Sequence, residues 1–228
     1  MSAEKELVLG YSPWGNTTGD IRPFDEVFDA AQNITVSMAG VNAVIFWGGT
    51  DIDPAFYGQK AHLRNQAPTK RSPRDEFEWK AMHYCLMNKI PMIGVCRGAQ
   101  MLCAFAGGKL VQHMSGHHGD HNITLDTGEI IMSTSSHHQM MYPWDVPHQL
   151  IAHSTVRLSS TYEEAVGETI PAAWGHVEPE IVYFPAINGL AIQGHPEWAC
   201  TKEYRELCID LVLEQLTGLI SQRSAVTA

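Results

Sequence analysis

One segment, PMIGVCRGAQMLCAFAGGKL from Pro91 to Leu110, restricts the fold of this chain more than any other. Met92-Ile93-Gly94-Val95 is a short apolar run behind a proline, the pattern of a buried strand. From Arg97 to Ala106 the spacing of Met101, Leu102, Phe105 and Ala106 is helical, and Gly107-Gly108 supplies a stop. Cys96 stands at the junction, inside Gly94-Val95-Cys96-Arg97-Gly98, which is the cysteine form of the G-x-S-x-G nucleophile elbow. The turn needs both glycines, because a strand bending this sharply into a helix leaves no room for side chains beside the nucleophile. It lifts the sulfur clear of the sheet and aims the positive end of the helix at it, which favours an anion there. The Arg97 N–H is then placed to help hold a developing oxyanion. A lone cysteine at a strand–helix connection is otherwise read as buried and inert; the paired glycines argue against that here.

The rest of the composition narrows the class. A chain of 228 residues suits one α/β domain, long enough to bury a full sheet between helices. The formal charge of −10 argues against nucleic acid or an anionic membrane surface as the main partner. Met1 to Gly10 carries charges and lacks a long apolar core, so no signal peptide is expected, and no apolar run is long enough to span a membrane. The 5 cysteines show no paired spacing and read as reduced thiols of a cytoplasmic protein.

Along the chain, Leu7 to Tyr11 reads as a first strand, and Phe24, Val27, Phe28 and Ala31 as the inner face of a first helix. Ala43 to Trp47 is a second strand running into Gly48-Gly49-Thr50-Asp51-Ile52-Asp53-Pro54, where open α/β sheets place ligand-binding loops. Gln59 to Arg71 is a polar loop bordering or covering the site. Ser72-Pro73-Arg74-Asp75 predicts a helix start with a capping box, running to about Asn88. After Leu110, Ile123 to Leu125 and Glu129 to Met132 flank Asp126-Thr127-Gly128 as a hairpin. Strands near Leu150 to His153 and Ile181 to Phe184 follow, the latter pairing through Asn188-Gly189 with Leu190 to Gln193. Lys202 to Leu216 closes the chain as a helix. The expected architecture is α/β, a single-domain flavodoxin-like three-layer sandwich over residues 1–228. Its central sheet is mostly parallel, with a small antiparallel portion in the C-terminal half.

His195, fixed by Pro196 directly after a strand and followed by Glu197, supplies a general base with an orienting carboxylate. With this second motif the sequence resembles the class I glutamine amidotransferase-like superfamily, within it the γ-glutamyl hydrolase or peptidase C26 branch. The resemblance runs over nearly the whole chain: Gly48 to Pro54 with Tyr57-Gly58, Arg74-Asp75-Glu76-Phe77-Glu78, the elbow through Gln100 to Leu110, Ser135-Ser136-His137-His138-Gln139, and Gln193-Gly194-His195-Pro196-Glu197. It implies Cys96 as nucleophile, His195 as general base and Glu197 as orienting acid, with the N–H groups of Gly49 and Arg97 as oxyanion hole. It also implies that His137, Gln139 and Gln100 border the pocket for the γ-glutamyl moiety. Thr134 and Gly194 depart from the branch, which usually has Asn and an aromatic there, and they imply a differently shaped acyl pocket.

The reaction this implies is hydrolysis of a γ-glutamyl amide through a glutamyl thioester, without cofactor. The alternative is a glutaminase subunit feeding ammonia to a separate synthetase; a silent binding module with this fold is disfavoured by the intact Cys96, His195 and Glu197. The expected partner is a small γ-glutamyl substrate or glutamine, with a homodimer as an open arrangement and neither nucleic acid nor membrane. His113, His117, His118 and His121, with Asp120, His137 and His138 nearby, raise metal binding as a competing reading. Their loop spacing lacks the i, i+4 pattern and Cys partners of a metal motif, so no metal is expected.

Overall fold

The computed structural model describes residues 9–11, 27–29, 43–67, 72–165, 168–170, 175, 177–198 and 202–223. A central sheet of nine strands runs in the order β2-β1-β3-β4-β14-β13-β10-β7-β8. Its parallel half comprises β1 (Leu9–Tyr11), β2 (Val27–Asp29), β3 (Ala43–Phe46), β4 (Met92–Val95) and β14 (Gly189–Ile192). The other half, β13 (Pro179–Phe184), β10 (Gln149–Ser154), β7 (His121–Leu125) and β8 (Ile130–Ser133), is antiparallel throughout. The antiparallel portion is therefore half of the main sheet. Two small sheets flank it, pairing β5 (Lys109–Val111) with β9 (Met140–Tyr142), and β6 (His113–Met114) and β12 (Glu168–Thr169) with β11 (Tyr162–Ala165).

Helices cover both faces, as side-chain alternation along the strands requires. Val44, Phe46 and Met92 face α1 (Pro73–Asn88) and α2 (Arg97–Phe105), packing on Ala81, Met82, Cys85, Ala99 and Leu102. Ile45, Ile93, Val95 and Ile192 face α3 (Lys202–Thr217) through Tyr204, Cys208, Leu211 and Val212. The Gln215 amide donates to the carbonyls of Met92 and Asn188 at 3.0 and 2.7 Å, tying α3 to the amino ends of β4 and β14.

Two local expectations change. Val27–Asp29 is a strand parallel to β1 rather than part of a helix, while Phe24 and Ala31 lie outside the described residues. The helical spacing there involves only four positions, and pairing with a neighbouring strand outweighs so short a pattern. At the start of α1, Ser72 caps the Asp75 N–H at 3.0 Å, but the Asp75 carboxylate does not return the bond. It is engaged by Arg97 instead.

Because β3, β4 and β14 are adjacent and parallel, their carboxyl ends open on one edge of the sheet. Gly48-Gly49, Cys96 and Gly194 to Glu197 follow those three strands directly, so the topology gathers the distant motifs.

Candidate active site

Cys96 has φ +52° and ψ −107°, a strained conformation for a residue with a side chain, between the last residue of β4 and the first of α2. The two glycines make this turn feasible. A Cβ on Gly98 would collide with the carbonyl oxygen of Phe46, and one on Gly94 with the backbone of Gly98 and Ala99. The helix end is thus seated directly on the sheet. The Cys96 N–H donates to the Ile192 carbonyl at 2.8 Å, locking the elbow to β14.

His195 stands beside Cys96 on one side, and its Nδ1–H donates to Glu197 Oε1 at 2.7 Å on the other. Burial works against the charged imidazole, but the neighbouring Cys96 and the bonded Glu197 carboxylate prevail and push its pKa up to about 9. Trp198 lies flat against the same ring, with centroids 3.8 Å apart and planes within 5°. This stack adds an aromatic face to a cationic ring and holds its plane. Sequence reasoning passed over Trp198; its place next to Glu197 was the available signal.

The Gly48-Gly49 loop is braced from α1. Arg74 donates to the Trp47 carbonyl at 2.8 Å and to Glu78 Oε1 at 2.9 Å, and its guanidinium lies where a Gly49 Cβ would be. Arg97, 1 % exposed, sends its side chain back from the elbow to both Asp75 and Glu78. One cluster of two guanidiniums and two carboxylates therefore joins the loop carrying Gly49 to the helix carrying the Arg97 N–H.

A cavity of about 250 Å³ opens beside Cys96, lined by Gly49, Asp51, Gln66, Gln100, His137 and Gln139 among others. Gln100 donates to the Gln139 carbonyl at 3.0 Å, and so does His137 Nδ1–H at 2.7 Å. Gln139 Nε2 reaches the Gln112 carbonyl at 3.2 Å, leaving its buried Oε1 without a partner. Burial, reinforced by the neighbouring His117, drives the His137 pKa down to about 3, so this wall is neutral. On the opposite side Asp51 accepts from the Gln66 N–H at 2.6 Å and lies 3.2 Å from His138. Asp51, Gln66 and His138 were not singled out as lining residues, although each lies in a segment the sequence marks: the Gly48–Pro54 loop, the Gln59–Arg71 loop and Ser135–Gln139.

The described part of the Gln59–Arg71 loop borders the cavity through Gln66. Gln112 pins it, accepting from the His62 N–H at 3.0 Å and donating to the Lys60 carbonyl at 2.6 Å. Thr134 and Gly194 do not line the cavity. Gly194 packs against Ser133 and the Thr134 carbonyl, which a Cβ would approach to 2.6 and 2.7 Å, so these two departures do not reshape the pocket directly.

A model of the peptidase C26 family matches residues 26–197. The chain belongs to the peptidase C26 family. It is 37% identical over 87 residues to a glutamine amidotransferase-like YvdE homolog of Lactococcus lactis subsp. cremoris, covering 38% of this chain and 45% of that protein. It is 31% identical over 94 residues to a γ-glutamyl-CDP-amidate hydrolase of Campylobacter jejuni, covering 41% of this chain and 42% of the relative. These matches span less than half the length of either relative. Among solved structures, a Thermoplasma acidophilum protein provisionally described as a GMP synthase component superposes with a TM-score of 0.62 at 14% identity, covering 96% of this chain and 98% of that one. The peptidase C26 chain thus has the class I glutamine amidotransferase fold.

Proposed function

We propose that this peptidase C26 chain hydrolyses the γ-glutamyl amide bond of a small γ-glutamyl amine, with Cys96, His195 and Glu197 as its catalytic residues. The observation that carries the reading is Cys96, strained at the head of α2, next to a histidine that is itself held by a carboxylate, beside a cavity of about 250 Å³. The Cys96 thiolate adds to the side-chain carbonyl carbon, and the N–H groups of Gly49 and Arg97 hold the resulting oxyanion. His195, already carrying a proton, gives it to the leaving nitrogen as the C–N bond breaks, which leaves a glutamyl thioester. Water then attacks the thioester, its proton passes to His195, and glutamate leaves with release of the Cys96 sulfur.

The cavity chemistry supports a glutamyl end. An α-ammonium needs acceptors, and Gln139 Oε1 and Asp51 line the cavity; Gln100 and the His137–Gln139 segment would border the rest of that moiety. The name of the Campylobacter jejuni relative, a γ-glutamyl hydrolase, agrees with this class. The likeness to a protein described as a GMP synthase component favours a second reading, a glutaminase that passes ammonia to a synthetase.

Ammonia, amine and glutamate release, measured over glutamine and a panel of γ-glutamyl amines and peptides, separates the two. A γ-glutamyl amine turned over far faster than glutamine is the expected result, and Cys96→Ala should lose at least about a thousand-fold of that rate. Slow glutaminase activity alone, lost in Cys96→Ala, would establish the second reading. Full turnover by Cys96→Ala would refute both.

A further inference from the structure

Behind the cavity wall lies a second group of buried polar side chains, which shares only His137 with the cavity lining and takes no part in the proposed chemistry. His117 comes from the loop after β6, His137 from the segment before β9, and Glu180 from β13. One ligand-type atom from each lies within 4.8 Å of the other two, and all three residues are buried.

The hydrogen bonds around them prepare lone pairs rather than use them. His137 Nδ1–H donates to the Gln139 carbonyl at 2.7 Å, which fixes the tautomer and leaves Nε2 as a buried acceptor with no partner. His117 Nε2 lies 3.1 Å from Glu178 Oε2, and its Nδ1 faces Glu180 Oε1 at 3.3 Å. Glu178 is fully engaged elsewhere, accepting from Tyr162 Oη at 2.6 Å, the Leu158 N–H at 2.9 Å and the Ser159 N–H at 2.8 Å. It acts as the carboxylate that orients a histidine from behind. Glu180 Oε1 receives His121 Nε2 at 2.9 Å, while Glu180 Oε2 is buried without a partner. Acceptors therefore outnumber donors at the centre. Protonating His117 would supply Glu180 Oε1, yet His137 Nε2 and Glu180 Oε2 would stay bare.

We propose that His117 Nδ1, His137 Nε2 and a Glu180 carboxylate oxygen form a binding site for a zinc-type divalent metal ion. Two imidazole nitrogens and one carboxylate, each histidine backed by a carboxylate or a carbonyl, is a donor set zinc favours. A tetrahedral site with bonds of about 2.05 Å needs ligand atoms about 3.4 Å apart; His117 Nδ1 and Glu180 Oε1 already stand 3.3 Å apart, and the third ligand atom, from His137, closes in from within 4.8 Å. The ion ties the loop after β6 and the His137–Gln139 segment to β13, and thereby holds the cavity wall facing Cys96. It is a structural clip, and takes no part in the thioester chemistry.

The test uses the full chain, stripped with a chelator and reloaded with Zn²⁺ or with Co²⁺ as a spectroscopic probe. The expected result is about one metal ion per chain by elemental analysis. Visible d–d bands for bound Co²⁺ without strong sulfur charge transfer, and a melting temperature that rises with free Zn²⁺, complete it. Cys96→Ala should bind identically, and His137→Ala should lose the cobalt bands while remaining folded by circular dichroism. If the unaltered protein takes up no stoichiometric metal and its melting temperature ignores Zn²⁺, the proposal fails and a buried water fills the gap. Uptake that vanishes in Cys96→Ala also overturns it, since the ion would then sit on the thiol.

Discussion

At the scale of single residues, His195 has the most to explain. Its ordinary pKa near 6.5 is carried up to about 9 by Cys96 and Glu197 against the opposing effect of burial. The folded state thus binds this proton more tightly than the unfolded chain. The stability it contributes is complete below pH 6.5 and is lost as pH rises through about 9. In the proposed mechanism the same proton goes to the leaving nitrogen, so kcat/KM should fall on the alkaline side near pH 9. Glu197→Gln removes the charge that favours the imidazolium, and should move the limb down by roughly one pH unit or more. An unmoved limb in the pH–rate profile would show that Glu197 does not tune His195. The sequence announced Cys96, His195 and Glu197 because each sits in a short motif of fixed local geometry. It did not announce Trp198 as a stacking partner, since stacking depends on how a side chain folds back.

At the scale of elements, the unit is the elbow with α1. Arg97 is buried with both Asp75 and Glu78 also buried, so their charges depend on one another. Arg97→Met keeps the backbone N–H but leaves two carboxylates short of a cation, and should cost about 3–5 kcal/mol in denaturant unfolding. Adding Glu78→Gln to Arg97→Met should recover part of that loss, because one uncompensated charge is removed. A cost below about 1 kcal/mol for Arg97→Met would mean the cluster is hydrated. The helix boundaries were legible: α1 begins at Pro73 after its Ser72 cap, and α2 begins beside Cys96. The Asp75 capping box was not, because a distant guanidinium competes more strongly for that carboxylate than a nearby N–H does.

At the scale of the whole molecule, the fold sorts chemically equal thiols into different environments. Cys85 and Cys103 lie in the core, where burial pushes both thiols up to about 12, and Cys208 is buried on the core-facing side of α3. Cys96, also mostly buried, lines the cavity. Native protein treated with iodoacetamide and mapped by mass spectrometry should therefore be alkylated at Cys96 among these four, by at least about ten-fold over the others, and at all four once unfolded. Equal native labelling of Cys85 or Cys103 would mean that the core opens on the labelling timescale. No helix among the described residues is long and apolar enough to cross a membrane.

The sequence by itself determined the local pieces: the elbow, the capped helix, the hairpins, and the order in which the motifs occur. Those follow from sterics and short-range hydrogen bonding, which act between residues close in the chain. Only the tertiary structure decided which distant residues meet. The β3-β4-β14 adjacency brings Gly49, Cys96 and His195 to one edge. The antiparallel half of the sheet carries Glu180 to His117 and His137. In the sequence those histidines form only a loop cluster without metal-ligand spacing. Glu180, just ahead of the strand read from Ile181 to Phe184, carries no signal there, because side-chain proximity across a sheet is set by register and not by distance along the chain.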